Sequence, residues 1–125
     1  MRQLSAYVFR QLAGCKDGPC PNWYELADGD YLFQGDELDQ VDGLDPRPGQ
    51  ALIRVPRALV REGIGQVNAA GGANTMWVEL DAENLAFLGS RVTDAAVLAG
   101  IEVSPGEIFI RVSRVSITTE LAEAA

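Results

Sequence analysis

The chain has 125 residues, 47% of them apolar, and a net charge of −8 with no histidine. That apolar content excludes a disordered chain, and the length fits a single domain, residues 1–125. Without histidine, Ser-His-Asp and Cys-His catalysis are excluded, and the acidic balance argues against a broad nucleic-acid footprint, which needs clustered cations. No stretch approaches the ~20 apolar residues of a membrane span. Arg10 and Gln11 interrupt what would be the apolar core of a signal peptide. A cytoplasmic location is expected.

Residues 4–12 carry both helical spacing (Leu4, Val8, Leu12) and a strand-like run, Tyr7-Val8-Phe9, and are read as a strand. Cys15 to Pro21 is a tight loop punctuated by Gly18, Pro19 and Pro21. Trp23–Leu26 and Tyr31–Gln34 read as the two arms of a hairpin turned by Asp28-Gly29, with the return arm ending at Gly35. An acidic connection, 36–49, leads to a strand at Gln50–Val55. Pro56 ends that strand and opens a helical turn over Arg57–Glu62. Asn68–Asn74 is small and polar, a linker with no phosphate-binding glycine pattern. A second hairpin follows from Trp77, then a short helix from Ala95 capped by Thr93 or Asp94 and closed by Gly100. Ile108–Ile117 reads as a strand with Ile108, Ile110 and Val112 on one face and Phe109 and Arg111 on the other. The end, 118–125, reads as a frayed tail or a last helical turn.

The elements occur twice. Trp23-x-Glu25-Leu26 and Phe33-x-Gly35 return 54 residues later as Trp77-x-Glu79-Leu80 and Phe87-x-Gly89. Pro48-Gly49-x-x-x-Ile53-Arg54-Val55-x-Arg57 returns 57 residues later as Pro105-Gly106-x-x-x-Ile110-Arg111-Val112-x-Arg114. A three-residue insertion in the second connection accounts for the difference in offset. The expected architecture is mainly β with short helices. It is a small β-barrel or two-sheet domain built from a tandem duplication with pseudo-twofold symmetry. The first repeat spans about residues 23–57, the linker about 63–75 and the second repeat about 77–114. Units this small rarely fold alone, so the two are expected to share one core.

Candidate chemistry is sparse. Cys15 and Cys20 read as two thiols with a turn or packing role, as a disulfide or redox switch, or as half of an intersubunit metal site. The last needs a second copy, because two thiolates lack two of the four zinc ligands. Asp36, Glu37, Asp39, Asp42 and Asp45, with Asp28 and Asp30 before them, form a solvated acidic loop, a cation site or a dock for a basic partner. Arg54, Arg57, Arg111 and Arg114 are the candidate partner-binding residues. They would grip acidic side chains or phosphates, or else pair with Glu25 and Glu79 of the equally repeated Trp-x-Glu-Leu strands. Trp23 and Trp77 are read as core anchors, one per repeat, with a stacking platform as the alternative.

Gly100-Ile101 and Pro105-Gly106-Glu107, within Arg91–Val112, resemble the half-barrel unit of AbrB-like swapped-hairpin and double-psi barrel proteins. The basic arm of their DNA-binding members has no counterpart here. Cys15-x-x-x-x-Cys20-Pro21 followed by a hairpin ending Gln34-Gly35 resembles a group of small actinomycete proteins without established activity. That resemblance implies a cytoplasmic accessory role and transfers no catalytic residue. The chain is therefore expected to be non-enzymatic: a protein-binding or regulatory accessory without cofactor. It would be a pseudo-dimeric monomer or a homodimer. The alternatives are an AbrB-like DNA-binding regulator and a structural component of a phage or shell assembly.

Overall fold

The computed structural model describes residues 3–15, 20–71 and 76–125. Seven strands form one antiparallel sheet: β1 (Val8–Gly14), β2 (Asn22–Leu26), β3 (Tyr31–Leu38), β4 (Gln50–Pro56), β5 (Trp77–Glu79), β6 (Asn84–Val92) and β7 (Glu107–Val112). The helices are short: α1 (Arg57–Ile64), α2 (Ala95–Leu98) and α3 (Thr119–Ala124). The expected mainly β class is what the structure has. Among the described residues, no helix is long and apolar enough to cross a membrane.

The sheet closes on itself in part. β3 pairs with β4, β4 with β6, β6 with β7, and β7 returns to β3. Two outer strands flank this partial ring on one side, with β2 on β3 and β1 on β2. On the other side β5 alone lies against β6.

The register of these pairs recurs at the offsets seen in the sequence. Trp23 faces Phe33, and Trp77 faces Phe87. Phe33 faces Ile110, and Phe87 faces Ile53. Glu37 faces Ile53, and Arg91 faces Ile110. The strands carrying Phe-x-Gly thus pair mainly with the Ile-Arg-Val strand of the other stretch, β3 with β7 and β6 with β4.

Alternation along the strands sorts side chains into an inner core and two outer clusters. Inside, Trp23 stacks on Phe33 with ring centroids 5.1 Å apart, and Phe33 meets Phe87 edge-on at 4.9 Å. Ile53, Val55, Ile110 and Val112 join them. Burying each such side chain contributes roughly 1.5–3 kcal/mol. Phe109 turns to the opposite face, as the alternation of β7 requires, and packs with Tyr24 and Leu32 beneath Val97, Leu98 and Ile101 of the α2 region. The second outer cluster, Leu52 with Ala86, lies under Val41 and Leu44 of the other connection. Each connection therefore roofs one outer face. The longer second one does so as a helix, with the Asp94 carboxylate accepting the Ala96 N–H at 2.9 Å.

Several boundaries differ from expectation for identifiable reasons. β3 runs past Gly35 to Leu38 because β7 and then β4 supply partners along it. The acidic connection is correspondingly shorter. β7 stops at Val112 instead of reaching Ile117, because Val112 already faces Tyr31, the first residue of β3. The chain turns there through a 3-10 turn, Arg114–Ser116, and buries Ile117. The tail is a helix, α3, whose N–H of Leu121 donates to Thr118 Oγ1 at 3.3 Å. Pro56 precedes α1 as expected. Part of the predicted linker, 72–75, and the tip of the cysteine loop, 16–19, lie outside the described residues.

Candidate functional site

The four candidate arginines go to different partners. Arg54 lies 3.9 Å from Asp36. Arg57 pairs with Glu79 at 3.3 Å and also donates to the carbonyls of Asp81 and Ala124. Arg111 is held by Asp28 and by Asp30, the latter at 3.0 Å. Asp30 also accepts the backbone N–H of Arg114 at 3.2 Å. The expected partnership with the repeated glutamates holds for Arg57 and Glu79. It fails for Glu25, which Arg10 of β1 engages at 2.9 Å. The Arg114 guanidinium makes no ion pair among the described residues.

Arg114 stands instead on a cleft of about 420 Å3 with Arg10, Glu25, Tyr31, Gln66 and Val115. Tyr31 is mostly buried beneath it, with its ring edge-on to Trp23, and burial pushes its phenol above its ordinary range. Val115 is 62% exposed at the rim.

Charge is locally tuned at Asp28. The Arg111 guanidinium, and then the backbone N–H of Asp30, hold this carboxyl below its ordinary value of 3.8. The reciprocal hydrogen bond from Asp28 raises the Arg111 guanidinium. Asp81, in the other hairpin, is lowered chiefly by the backbone N–H of Glu83. The hydrogen bonds from Asp30 N to Asp28 and from Glu83 N to Asp81 are turn-closing interactions of the Asx type. Among the described residues, no group of three or more Cys, Asp or Glu side chains is arranged to hold a metal ion.

Cys15 and Cys20 are joined as a disulfide. Any thiolate metal site would require that bond to be reduced first. The bridge sits at one end of a buried amide chain that the sequence reading missed. Cys20 O accepts Asn22 Nδ2 at 2.7 Å, and the same amide donates to Gln34 Oε1 at 2.9 Å. Gln11 Nε2 reaches Asn22 Oδ1 and Cys15 O, both at 2.7 Å. Gln34 Nε2 then donates to Glu102 O and Glu107 Oε1. Asn22 and Gln34 are fully buried, and the chain crosses four adjacent strands, β1, β2, β3 and β7. The available signal was Gln34 itself, a lone amide directly after the apolar run Tyr31-Leu32-Phe33. No protein-family model matches the chain, and no curated protein or solved structure matches it either.

Proposed function

We propose that the chain is a tandem duplication folded as a small pseudo-twofold barrel, and that it acts as a non-enzymatic accessory that binds a protein partner. The matching registers of β3 with β7 and of β6 with β4 support the duplication. The observation that carries the binding role is the unequal fate of one repeated arginine. Arg57 is enclosed by Glu79 and two carbonyls, whereas its counterpart Arg114, with no ion pair among the described residues, stands in an open cleft beside exposed Val115. A cation, a carboxylate and an apolar rim side by side suit a polypeptide surface. They suit a nucleic-acid backbone poorly, because Glu25 shares the cleft and Arg54 and Arg111 already face carboxylates.

The test is capture from native lysate at low and high salt, with and without nuclease. A protein retained at high salt after nuclease, and lost with Arg114→Ala, is the expected result. Nucleic acid that disappears with salt, and is lost with Arg54→Ala and Arg111→Ala, would replace this reading with the DNA-binding one.

A further inference from the structure

Positions related by the sequence offsets carry different chemistry around the same structural feature. Asn22, Gln34 and Glu107 correspond to Met76, Leu88 and Gln50. The backbone around the two sets is alike: Ser104 N donates to Glu107 Oε1 and Arg47 N to Gln50 Oε1, both at 2.9 Å. The first set is filled, because β1 lies on β2 and brings Gln11 onto Asn22. The second set borders an open recess of about 340 Å3, rimmed by Ser90, Ser113 and Ser116. Among the described residues, β1 has no counterpart in the second stretch.

The backbone beside that recess is open as well. Leu88 N donates to Met76 O at 2.8 Å and Leu80 N to Asn84 O at 3.0 Å, so residues 76 and 80 face β6. Alternation along an antiparallel strand turns the N–H and C=O groups of Trp77 and Glu79 outward. Among the described residues, nothing pairs with that edge. The corresponding groups of β2, at Trp23 and Glu25, lie opposite Ala13 and Arg10 of β1.

We propose that the outer edge of β5 takes up an extended segment of another polypeptide, added antiparallel as β1 is added to β2. This goes beyond the accessory role above and shares with it only the class of ligand, since Arg114 is not involved. β1 supplies the template for the occupant. Arg10 of β1 faces Glu25, whose counterpart Glu79 pairs with Arg57 at 3.3 Å yet stays 62% exposed at its side chain, so a basic residue of the segment would share that carboxylate. Gln11 of β1 meets Asn22, whose counterpart is Met76, so the segment carries an apolar residue there. Main-chain pairing supplies affinity in such additions, and alternate side chains supply selectivity.

The probe is a labelled peptide of residues 6–14 bearing Gln11→Leu, titrated into the intact protein by fluorescence anisotropy and by amide NMR. Saturable binding is expected, with shifts at Trp77, Glu79 and Leu88. The peptide that keeps Gln11 should bind roughly tenfold more weakly, because its amide would be buried against Met76 unpaired. Glu79→Pro is the diagnostic variant. Proline is tolerated where an edge N–H faces solvent, yet it removes the outward donor. It should retain the fold and lose the peptide, while Arg114→Ala should bind as the wild type does. No saturable shift at millimolar peptide, equal binding by Glu79→Pro, or a dimer of the free protein that Glu79→Pro dissolves would each overturn the proposal. A lysate partner captured equally by wild type and Glu79→Pro would also remove this edge, while leaving the accessory role in place.

Discussion

A β-carbon on Gly89 would stand 2.7 Å from the carbonyl oxygen of Arg111, and one on Gly35 would overlap the carbonyl oxygen of Arg54. In each stretch the glycine of Phe-x-Gly is therefore the point where one strand's backbone crosses close over the Ile-Arg-Val strand. Real β-carbons do not approach a carbonyl so closely, and here the obstacle is backbone, which cannot swing aside. Gly35→Ala and Gly89→Ala should each lower the unfolding free energy by about 1–3 kcal/mol or more. Urea denaturation measures this, and a midpoint unchanged in either variant would show that the crossing is looser than described.

Gly63 makes a second close approach. On the inner side of α1, a β-carbon there would lie 2.6 Å from Cζ3 of Trp23, a ring with no exposed surface. Two residues on, Gly65 has nothing within 4 Å and a φ of −71°. Gly63→Ala should destabilise by roughly 1–3 kcal/mol through overpacking. Gly65→Ala should stabilise by about 0.4–1 kcal/mol by restricting the unfolded chain. Equal effects of the two would contradict the placement of α1 on Trp23.

Much of this was legible in the sequence because it depends on local pattern. The turn at Asp28-Gly29, the Pro56 helix start, the Asp94 cap and the two-faced alternation of β7 each follow from a few adjacent residues. The end of β7 was not legible, because it is set by where Tyr31, eighty-one positions earlier, ceases to offer a partner. The site was less legible still. The repeated arginines stood out, but nothing local distinguishes Arg57, enclosed by Glu79, from Arg114, which shares a cleft with a Glu25 that pairs with Arg10. The Asn22–Gln34 chain required knowing that β1, β2, β3 and β7 lie side by side.

That amide chain yields a prediction of non-additivity. Gln34→Leu leaves one Asn22 proton and the Glu102 carbonyl without their bonds in a buried place. The expected cost is about 1–3 kcal/mol. Leucine is nevertheless what the counterpart position carries, at Leu88. Combining Gln34→Leu with Asn22→Met and Glu107→Gln, the side chains of the other stretch, should recover part of the loss, the remainder being the Gln11 amide and the Cys20 and Glu102 carbonyls left without these bonds. Urea unfolding of the single and triple variants decides this. A triple variant as unstable as the sum of its parts would mean that the amides fix β1 in place in a way apolar packing cannot.

Asp28 supplies a pH dependence of defined sign. Its native carboxyl is held below the ordinary 3.8, first by the Arg111 guanidinium. A group depressed on folding contributes stability in full above its unfolded value and loses it as pH falls through the folded one. The stability difference between wild type and Asp28→Asn should therefore be constant above roughly pH 5 and close as the pH falls toward about 2. The difference should be small, since the Asp28 side chain is 53% exposed and solvent screens the pair. A difference that widened on acidification would reverse the assignment.

The disulfide is the last feature with a measurable consequence. Cys15 and Cys20 are five positions apart, and the carbonyls of both accept buried-chain amides, Gln11 and Asn22. Closing so short a loop restricts the unfolded chain by about 2 kcal/mol. Dithiothreitol should therefore lower wild-type stability by that amount, and a Cys15→Ser, Cys20→Ser variant should show the same loss and no response to reductant. Amide exchange should quicken at the β1 end of the sheet and leave β5 unchanged, because the hydrogen bonds described from the bridge run through β1 and β2 toward β3 and β7. Zinc separates the remaining alternative. Added to the reduced protein, it should neither restore stability nor drive dimerisation if the pair is a staple. One zinc per two chains, with stability recovered, would make the cysteines an intersubunit metal site instead.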